Sequence, residues 1–327
     1  MAKLKSAVLI PSFGRPTTLK KCLSGLLSQS VPADQIFVIW QASDFATRDA
    51  ASEFIERFCG RLIVVHSEEA GVVPAENAGL SRSTSDIILL LDDDAIAGPD
   101  WIAKHVRFYE DDSVGAVGGP AKNFHPDGRP FKTRDNEPVG HLTWYGKLTG
   151  NMYDHPDEWS LREPIQVDHL VGYNMSFRRC AIDCFETGLR RYWQLFELDV
   201  CLTVRDAGYR VMFDFGNVVE HHPTNATYAG GRDGDLQVKI YNGAYNKAFV
   251  LAKHTRGVMP YFMTIANLTV KGTVATPGLI AFFVAVARYG NWIREMRILF
   301  GSVSASIGGW RAGRTLRHLS NNHLRKG

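Results

Sequence analysis

The sequence predicts an α/β protein, with a doubly wound, mostly parallel sheet flanked by helices and then a basic C-terminal helical region. Three observations predict it. Short apolar runs alternate with segments of helical period from Ser6 to Phe215, the pattern of βαβ units in a parallel sheet. One run, Ile87–Leu91, is five aliphatic residues without a polar interruption, as expected of a strand covered on both faces. Beyond about residue 230 the strand-like runs give way to apolar, basic, helix-forming stretches. The boundary falls there, with a sheet domain over 1–228 and a helical region over 229–327.

Residues 6–10 read as the first strand, ending at Pro11-Ser12-Phe13-Gly14-Arg15-Pro16. Pro16 suits the first turn of a helix whose apolar face is Leu19, Cys22, Leu23, Leu26 and Leu27. A second strand is expected over 35–40. A helix over 47–58 would bury Ala50, Ala51, Phe54, Ile55 and Phe58, with Gly60 as its cap. Strands over 62–65, 86–91 and 114–119 continue the sheet, with helices over 74–81 and 99–109. Residues 120–163 carry Pro, Gly, Asp, His, Trp and Tyr without periodicity, and loops of that length are usually lids or binding loops. Short strands follow at 167–171 and 175–178. A helix over 195–207, closed by Gly208, has Glu197 and Asp199 in its first turn. Strands at 209–215 and 218–223 finish the sheet, and 236–252 is a helix rich in aromatic and small residues.

With 45% hydrophobic and 22% charged residues, the composition excludes a disordered chain. Net charge is +3 but unevenly spread. Residues 226–327 hold 14 Lys and Arg against 3 Asp and Glu, while residues 1–225 hold 23 against 31. A basic final third predicts an anionic partner, a membrane surface rather than nucleic acid. Lys271, Pro277 and Arg288 interrupt the apolar stretch 258–300, so nothing reaches the ~20 residues that span a bilayer. An interfacial contact with anionic lipid is expected instead; the alternative is packing on the chain's own domain or on a second copy in a homo-oligomer. Ala7–Ile10 is cut short by Pro11, too short for a signal peptide. Five cysteines without C-x-x-C spacing argue against zinc and for reduced, mostly buried thiols. Together these place the protein in the cytoplasm, at the inner face of the cell membrane.

Ile87–Leu91 runs straight into Asp92-Asp93-Asp94. Three like charges at the end of a buried strand repel one another and lose hydration. A divalent cation carrying a phosphate-bearing ligand removes that cost, since hard oxygen ligands suit Mg²⁺ or Mn²⁺. A solvated acidic turn is the plainer alternative. Ligands of doubly wound sheets bind outside the carboxyl ends of the strands. Pro11–Arg15 and Asp92–Asp94 both sit at such ends, so the topology brings them to one rim.

Seven segments then occur in a telling order: Val8–Pro16, Asn77–Leu80, Leu91–Asp94 with Pro99-Asp100-Trp101, Val114–Gly119, Gly172–Arg179, Glu197–Asp199 through Arg205–Tyr209, and His221-His222. Together they resemble the inverting family-2 glycosyltransferases of GT-A fold, which use nucleotide-sugar donors, over residues 8–222. The resemblance implies a Rossmann-type, GT-A-like sheet domain that moves a sugar from a nucleotide-diphosphate donor to a glycan or lipid-linked acceptor.

It also implies roles. Pro11, Ser12 and Arg15 would line the base and ribose, with Asn77 beside the donor. Asp94 would ligate Mn²⁺ or Mg²⁺, with Asp92 or Asp93 on the ribose or the metal's water, and His221 completing the metal set. Glu197 would be the general base ahead of Asp199, because counting back from Arg205–Tyr209 puts Glu197 where the family has its catalytic Asp. Gly172, Asn174 and Trp193 would face the acceptor, with Trp144, Tyr145 and Trp159 as further stacking candidates. Two positions depart from the pattern. Glu76 stands where the family has Arg, and the acidic residue after the second strand is displaced to Asp44. Glu76 is what favours the competing class, a non-catalytic GT-A-like sugar-binding or scaffold protein in a glycan-assembly complex. A nucleotidyltransferase would need a more glycine-rich first loop.

Overall fold

The computed structural model describes residues 4–125, 127–132, 139–150, 155–191, 194–223, 235–272 and 278–324. They form two compact units. The first comprises Met1–His141, Thr149–Phe185 and Val200–Ala226; the second comprises Leu142–Leu148, Glu186–Asp199 and Thr227–Gly327.

The chain opens with the expected succession β1 (Ser6–Ser12), α1 (Pro16–Leu27), β2 (Gln35–Gln41), α2 (Phe45–Ser52), β3 (Leu62–Ser67), α3 (Val72–Leu80) and β4 (Ile87–Leu91). Next come β5 (Ala95–Ala97), α4 (Trp101–Val106), β6 (Val114–Gly118), β7 (Ala121–Asn123), β8 (His141–Leu142), β9 (Leu148–Thr149) and β10 (Ile165–Gln166). β11 (Asn174–Arg178), α5 (Phe196–Asp206), β12 (Arg210–Phe213) and β13 (Val219–His221) complete the sheets. The main sheet runs β10-β12-β6-β11-β4-β1-β2-β3, a smaller one β5-β13-β7, and β8 pairs with β9. In the main sheet β1 to β4 are mutually parallel, as are β6 and β12. β11 is antiparallel between β4 and β6, and β10 antiparallel to β12.

β4 sits inside the sheet and every residue of Ile87–Leu91 is fully buried, which is why the run is aliphatic throughout. The glycines of Val114–Gly119 are required by close approach. A Cβ on Gly115 would lie 2.3 Å from Tyr209 Cβ, and one on Gly119 2.1 Å from the Asn217 carbonyl. Two sequence expectations shift. The helix expected at 47–58 is α2 followed by a separate 3₁₀ turn, Glu56–Phe58. Asp44 starts it early by accepting from Thr47 N at 3.2 Å, the bond of an N-cap. The strand expected at 167–171 is instead β10; Val167 N still bonds Val211 at 3.0 Å, but Asp168 N turns away to Gly140. The thiols also differ from expectation: Cys22 and Cys201 are buried, whereas Cys59, Cys180 and Cys184 are exposed.

The second unit contains α6 (Leu236–His254), α7 (Val258–Ala266), α8 (Leu279–Tyr289) and α9 (Trp292–Leu324). A π-helical turn, Asn267–Lys271, extends α7. α6 and α9 meet along Gly301, Gly309 and Gly313, which lie against Tyr241, Tyr245 and Phe249. The contacts advance together, so the helices run parallel. Segments 142–148 and 186–199 join this unit for visible reasons. Gly146 packs on Leu251 and Thr264, and Arg190 N donates to Asn246 Oδ1 at 2.7 Å. Among the described residues no helix is long and apolar enough to cross a membrane.

Candidate active site

The first unit brings two strand ends together. β1 and β4 are adjacent and parallel, so the loop after Ser12 and the carboxylates after Leu91 emerge side by side. Ser12 Oγ donates to Asp93 Oδ2 at 2.6 Å. Arg15 Nη1 bridges Asp93 Oδ1 at 2.9 Å and Asp94 Oδ2 at 2.6 Å. α1, entered through Pro16, packs on the next strand, where a Cβ on Gly25 would be 3.2 Å from the Ala97 carbonyl. Asp93 is 3% exposed. Burial pushes its carboxyl up to about 7, Asp94 adding to the rise while Arg15 and Ser12 oppose it.

β13 supplies the imidazole. Its antiparallel pairing with β5 sets His221 opposite Ala95, one residue past Asp94, and His222 N bonds the Asp94 carbonyl at 2.9 Å. His221 Nε2 then lies 3.2 Å from Asp94 Oδ1. Its Nδ1 is 2.7 Å from Asn123 Oδ1, an acceptor that suits a hydrogen on Nδ1 and leaves Nε2 as the nitrogen facing Asp94. The ring stacks on Tyr173, centroids 4.7 Å apart. One ligand atom each from Asp92, Asp94 and His221 falls within 4.8 Å of the others. Two carboxylates and an imidazole suit Mn²⁺ or Mg²⁺, and a hydrogen bond that fixes the ligating tautomer is what a metal-binding histidine ordinarily has. The residues therefore fit a divalent cation. A cavity of about 630 Å³ nearby is separate from this group: it is lined by Ile96, Lys122 and Glu220 and by none of these ligands.

Other expected site residues are placed differently. Asn174, expected at the acceptor, is fully buried. Its Oδ1 accepts from Trp101 Nε1 at 2.8 Å and His105 Nε2 at 3.1 Å, and its Nδ2 donates to the carbonyls of Pro120 and Asn217. His105 Nδ1 continues to Ser176, and Ser176 to Tyr109. With its polar atoms so engaged, Asn174 is a hub of the core. Burial lowers His105 to about 4 despite the Asn174 bond, so the network is neutral. Asn77 likewise exchanges both side-chain bonds with the Phe185 backbone, at 3.0 and 2.8 Å, which anchors α3. Asp44 receives Gly14 N at 2.5 Å as well as capping α2, so it braces the Pro11–Arg15 loop. Pro11 is partly exposed on that rim and Gly172 is buried. Trp193 lies outside the described residues. Trp159 is buried under Arg162 and His155, while Trp144 is exposed. Glu76 is 1% exposed, an interior group.

In the second unit, Glu197 is partly buried in the first turn of α5. Asp199 is 3% exposed and clamped: Lys253 Nζ reaches Oδ2 and His254 Nε2 reaches Oδ1, each at 2.9 Å. Lys253 also meets Glu186 at 2.9 Å. Burial alone would raise Asp199, but His254 and Lys253 outweigh it and hold the carboxyl below its ordinary value. Sequence reasoning missed Asn123, Tyr173, Lys253 and His254. Tyr173 lies inside a quoted motif; the other three carried no local signal.

Residues 7–184 match the sequence profile described as glycosyl transferase family 2. The chain belongs to that family. A relative in Haloferax volcanii, glycosyltransferase AglE, is 27% identical over 124 residues, 37% of this chain. The match spans only 41% of AglE's length. Among solved structures, the family-2 chain is similar to TarS 1–349 of S. aureus in complex with UDP-GlcNAc. There the TM-score is 0.61 with 10% identity, over 98% of this chain and 92% of that one. It is also similar to the mannosyltransferase PcManGT of Pyrobaculum calidifontis, in complex with GDP-Man and Mn²⁺. There the TM-score is 0.56 with 18% identity, over 94% of this chain and 88% of that one. At these identities the likeness establishes the GT-A fold.

Proposed function

We propose that the chain is a metal-dependent inverting glycosyltransferase. It transfers a hexosyl or deoxyhexosyl group from a nucleotide-diphosphate donor to a hydroxyl of a glycan or lipid-linked acceptor. The observation that carries this is the Asp92–Asp94–His221 group at the carboxyl end of β4, with ligand atoms within 4.8 Å, in a family-2 chain. The GDP-Man and Mn²⁺ bound by PcManGT and the UDP-GlcNAc bound by TarS support the same donor class. Bound by these three side chains, Mn²⁺ or Mg²⁺ would supply Lewis-acid stabilisation of the departing diphosphate.

The remaining roles belong to the chain's own groups. Arg15, on the rim beside Asp93 and Asp94, offers a fixed positive charge to the donor's phosphates. Ser12 and Asp93 hold the ribose side, and Pro11 borders the base. Glu197 accepts the proton of the acceptor hydroxyl as that oxygen bonds the anomeric carbon. The bond from that carbon to the diphosphate breaks on the opposite face, the diphosphate keeps the electron pair, and the configuration inverts. Asp199, with both oxygens engaged by Lys253 and His254, holds the helix start, which leaves Glu197 as the base of this reading.

The test is Asp94→Ala. Stabilisation of the wild-type chain by UDP or GDP should require Mn²⁺, and the variant should lose both that stabilisation and donor-sugar transfer or hydrolysis. Full activity in the variant would overturn the site. Wild-type binding without any hydrolysis or transfer would indicate the non-catalytic class.

A further inference from the structure

α8 is an anomaly of the second unit. None of its eleven residues is buried, although the sequence Leu279-Ile280-Ala281-Phe282-Phe283-Val284-Ala285-Val286-Ala287 has no polar side chain. Leu279, Ile280, Phe283 and Val284 are all exposed, Phe283 to 65%. α7 repeats the pattern with Val258, Met259, Phe262 and Met263, Val258 reaching 75%. Both sets follow i, i+1, i+4, i+5, one stripe along a helix. A water-facing stripe of this kind carries charge in an ordinary soluble protein; here it carries Val, Leu, Ile, Met and Phe. An exposed patch of that extent marks a surface that something covers.

The charge around it says what. No acidic residue occurs from Leu236 through Arg294. Arg256 precedes α7, Lys271 ends its π-helical turn, and Arg288 ends α8 beside exposed Tyr289 and Trp292. Apolar stripes bounded by cations and by Tyr and Trp fit the boundary between headgroups and acyl chains. The lengths agree. Fourteen residues from Val258 to Lys271 rise about 21 Å and the eleven of α8 about 17 Å, short of the ~30 Å hydrocarbon core. A second copy fits less well, because a two-fold interface sets the same patch against itself and would bring these cations together.

We propose that α7 and α8 form an in-plane membrane-docking surface that seats on an anionic phospholipid monolayer, with the two apolar stripes inserted and Arg256, Lys271 and Arg288 at the headgroups. This deepens the reading of a lipid-linked acceptor, but the test does not depend on transfer.

The full chain is floated with phosphatidylcholine vesicles, with and without phosphatidylglycerol. The wild type should float with the anionic vesicles, and added salt should weaken this. Phe262→Glu with Phe283→Glu should lower partition at least about tenfold. Lys271→Glu with Arg288→Glu, which alters no apolar contact, should lower it by about tenfold on anionic vesicles only. All four side chains are exposed, so unfolding temperatures without lipid should be unchanged. A wild type that stays with the unbound fraction overturns the proposal, as does either double variant that floats like the wild type. A wild-type dimer that Phe262→Glu with Phe283→Glu dissociates in the absence of lipid would assign the face to a second copy and overturn it too. Mn²⁺-dependent stabilisation by UDP, measured without vesicles, reports the transferase reading separately.

Discussion

At the residue scale, the proposed metal site depends on how the His221 ring is held. A metal bound at Nε2 beside Asp92 and Asp94 would need the other ring nitrogen, Nδ1, to carry the hydrogen, and Asn123 Oδ1 lies 2.7 Å from it as the acceptor. Asn123→Leu should therefore weaken Mn²⁺ about 10–100-fold, measured by calorimetric titration, with secondary structure unchanged by circular dichroism. The two acids of α5 separate in the same manner. Glu197→Gln should abolish transfer while leaving stability and nucleotide binding intact. Asp199→Asn should cost about 3–5 kcal/mol of stability, since it strips one side of a buried ion pair. The pH dependence follows from the shifts. Asp199 is depressed by its cations, so its contribution is present above the unfolded value of about 3.9 and is lost as pH falls through its lower folded value. Lys253 would be lowered by burial, but Asp199 and Glu186 raise it above its usual value. Its contribution is present below about 10.4 and is lost as pH rises through the higher folded value. Denaturant melts of Asp199→Asn should show less acid sensitivity below about pH 4 than the wild type.

At the scale of elements, what could be read from the sequence was what neighbouring residues specify. The buried strand Ile87–Leu91 running into three carboxylates, and the first loop beside it, follow from local pattern plus the parallel topology. Orientation did not follow. The Gly-Tyr-Asn segment was recognised as a motif, yet strand alternation turns Asn174 inward to Trp101 and His105 while Tyr173 goes under His221. Asn123 reaches the site because β7 lies beside β13, a pairing across 98 residues with no local signature. The same holds for α9. Its glycines read as weak helix formers until α6 is placed on them, where a Cβ on Gly309 would meet the Tyr245 carbonyl at 2.2 Å and one on Gly313 the Phe249 carbonyl at 2.2 Å. Backbone leaves no room to yield, so Gly309→Leu should destabilise α6 and α9 by more than the about 1–3 kcal/mol of ordinary overpacking. Chemical denaturation is the measurement. Gly308→Ala, whose added Cβ would sit at 3.8 Å from the Tyr245 ring, should be tolerated and serves as the control.

At the scale of the whole molecule, the group proposed to hold the metal and the nucleotide lies apart from the excess of cations. Asp92, Asp94, His221, Arg15 and Asn123 all belong to the first unit, whereas the excess of cations belongs to the second. A ligand that binds only the folded form stabilises whatever unfolds with its contacts, by about 2.7 kcal/mol at a hundred times Kd. The nucleotide's contacts are proposed on β1, β4 and β13 and none on α6 or α9. UDP or GDP with Mn²⁺ should therefore slow amide exchange in peptides covering Ser6–Ser12, Ile87–Leu91 and Val219–His221, and leave Leu236–His254 unchanged. Subglobal opening with different free energies in different parts of a structure is what makes such a readout possible. Asp94→Ala should erase the protection in the first set without altering the second. Equal protection in both sets would mean that the units open only together, and the stability assigned to α6 and α9 would then have to be measured as part of the whole chain. Protection confined to the helices would place the nucleotide elsewhere and contradict the site at the end of β4.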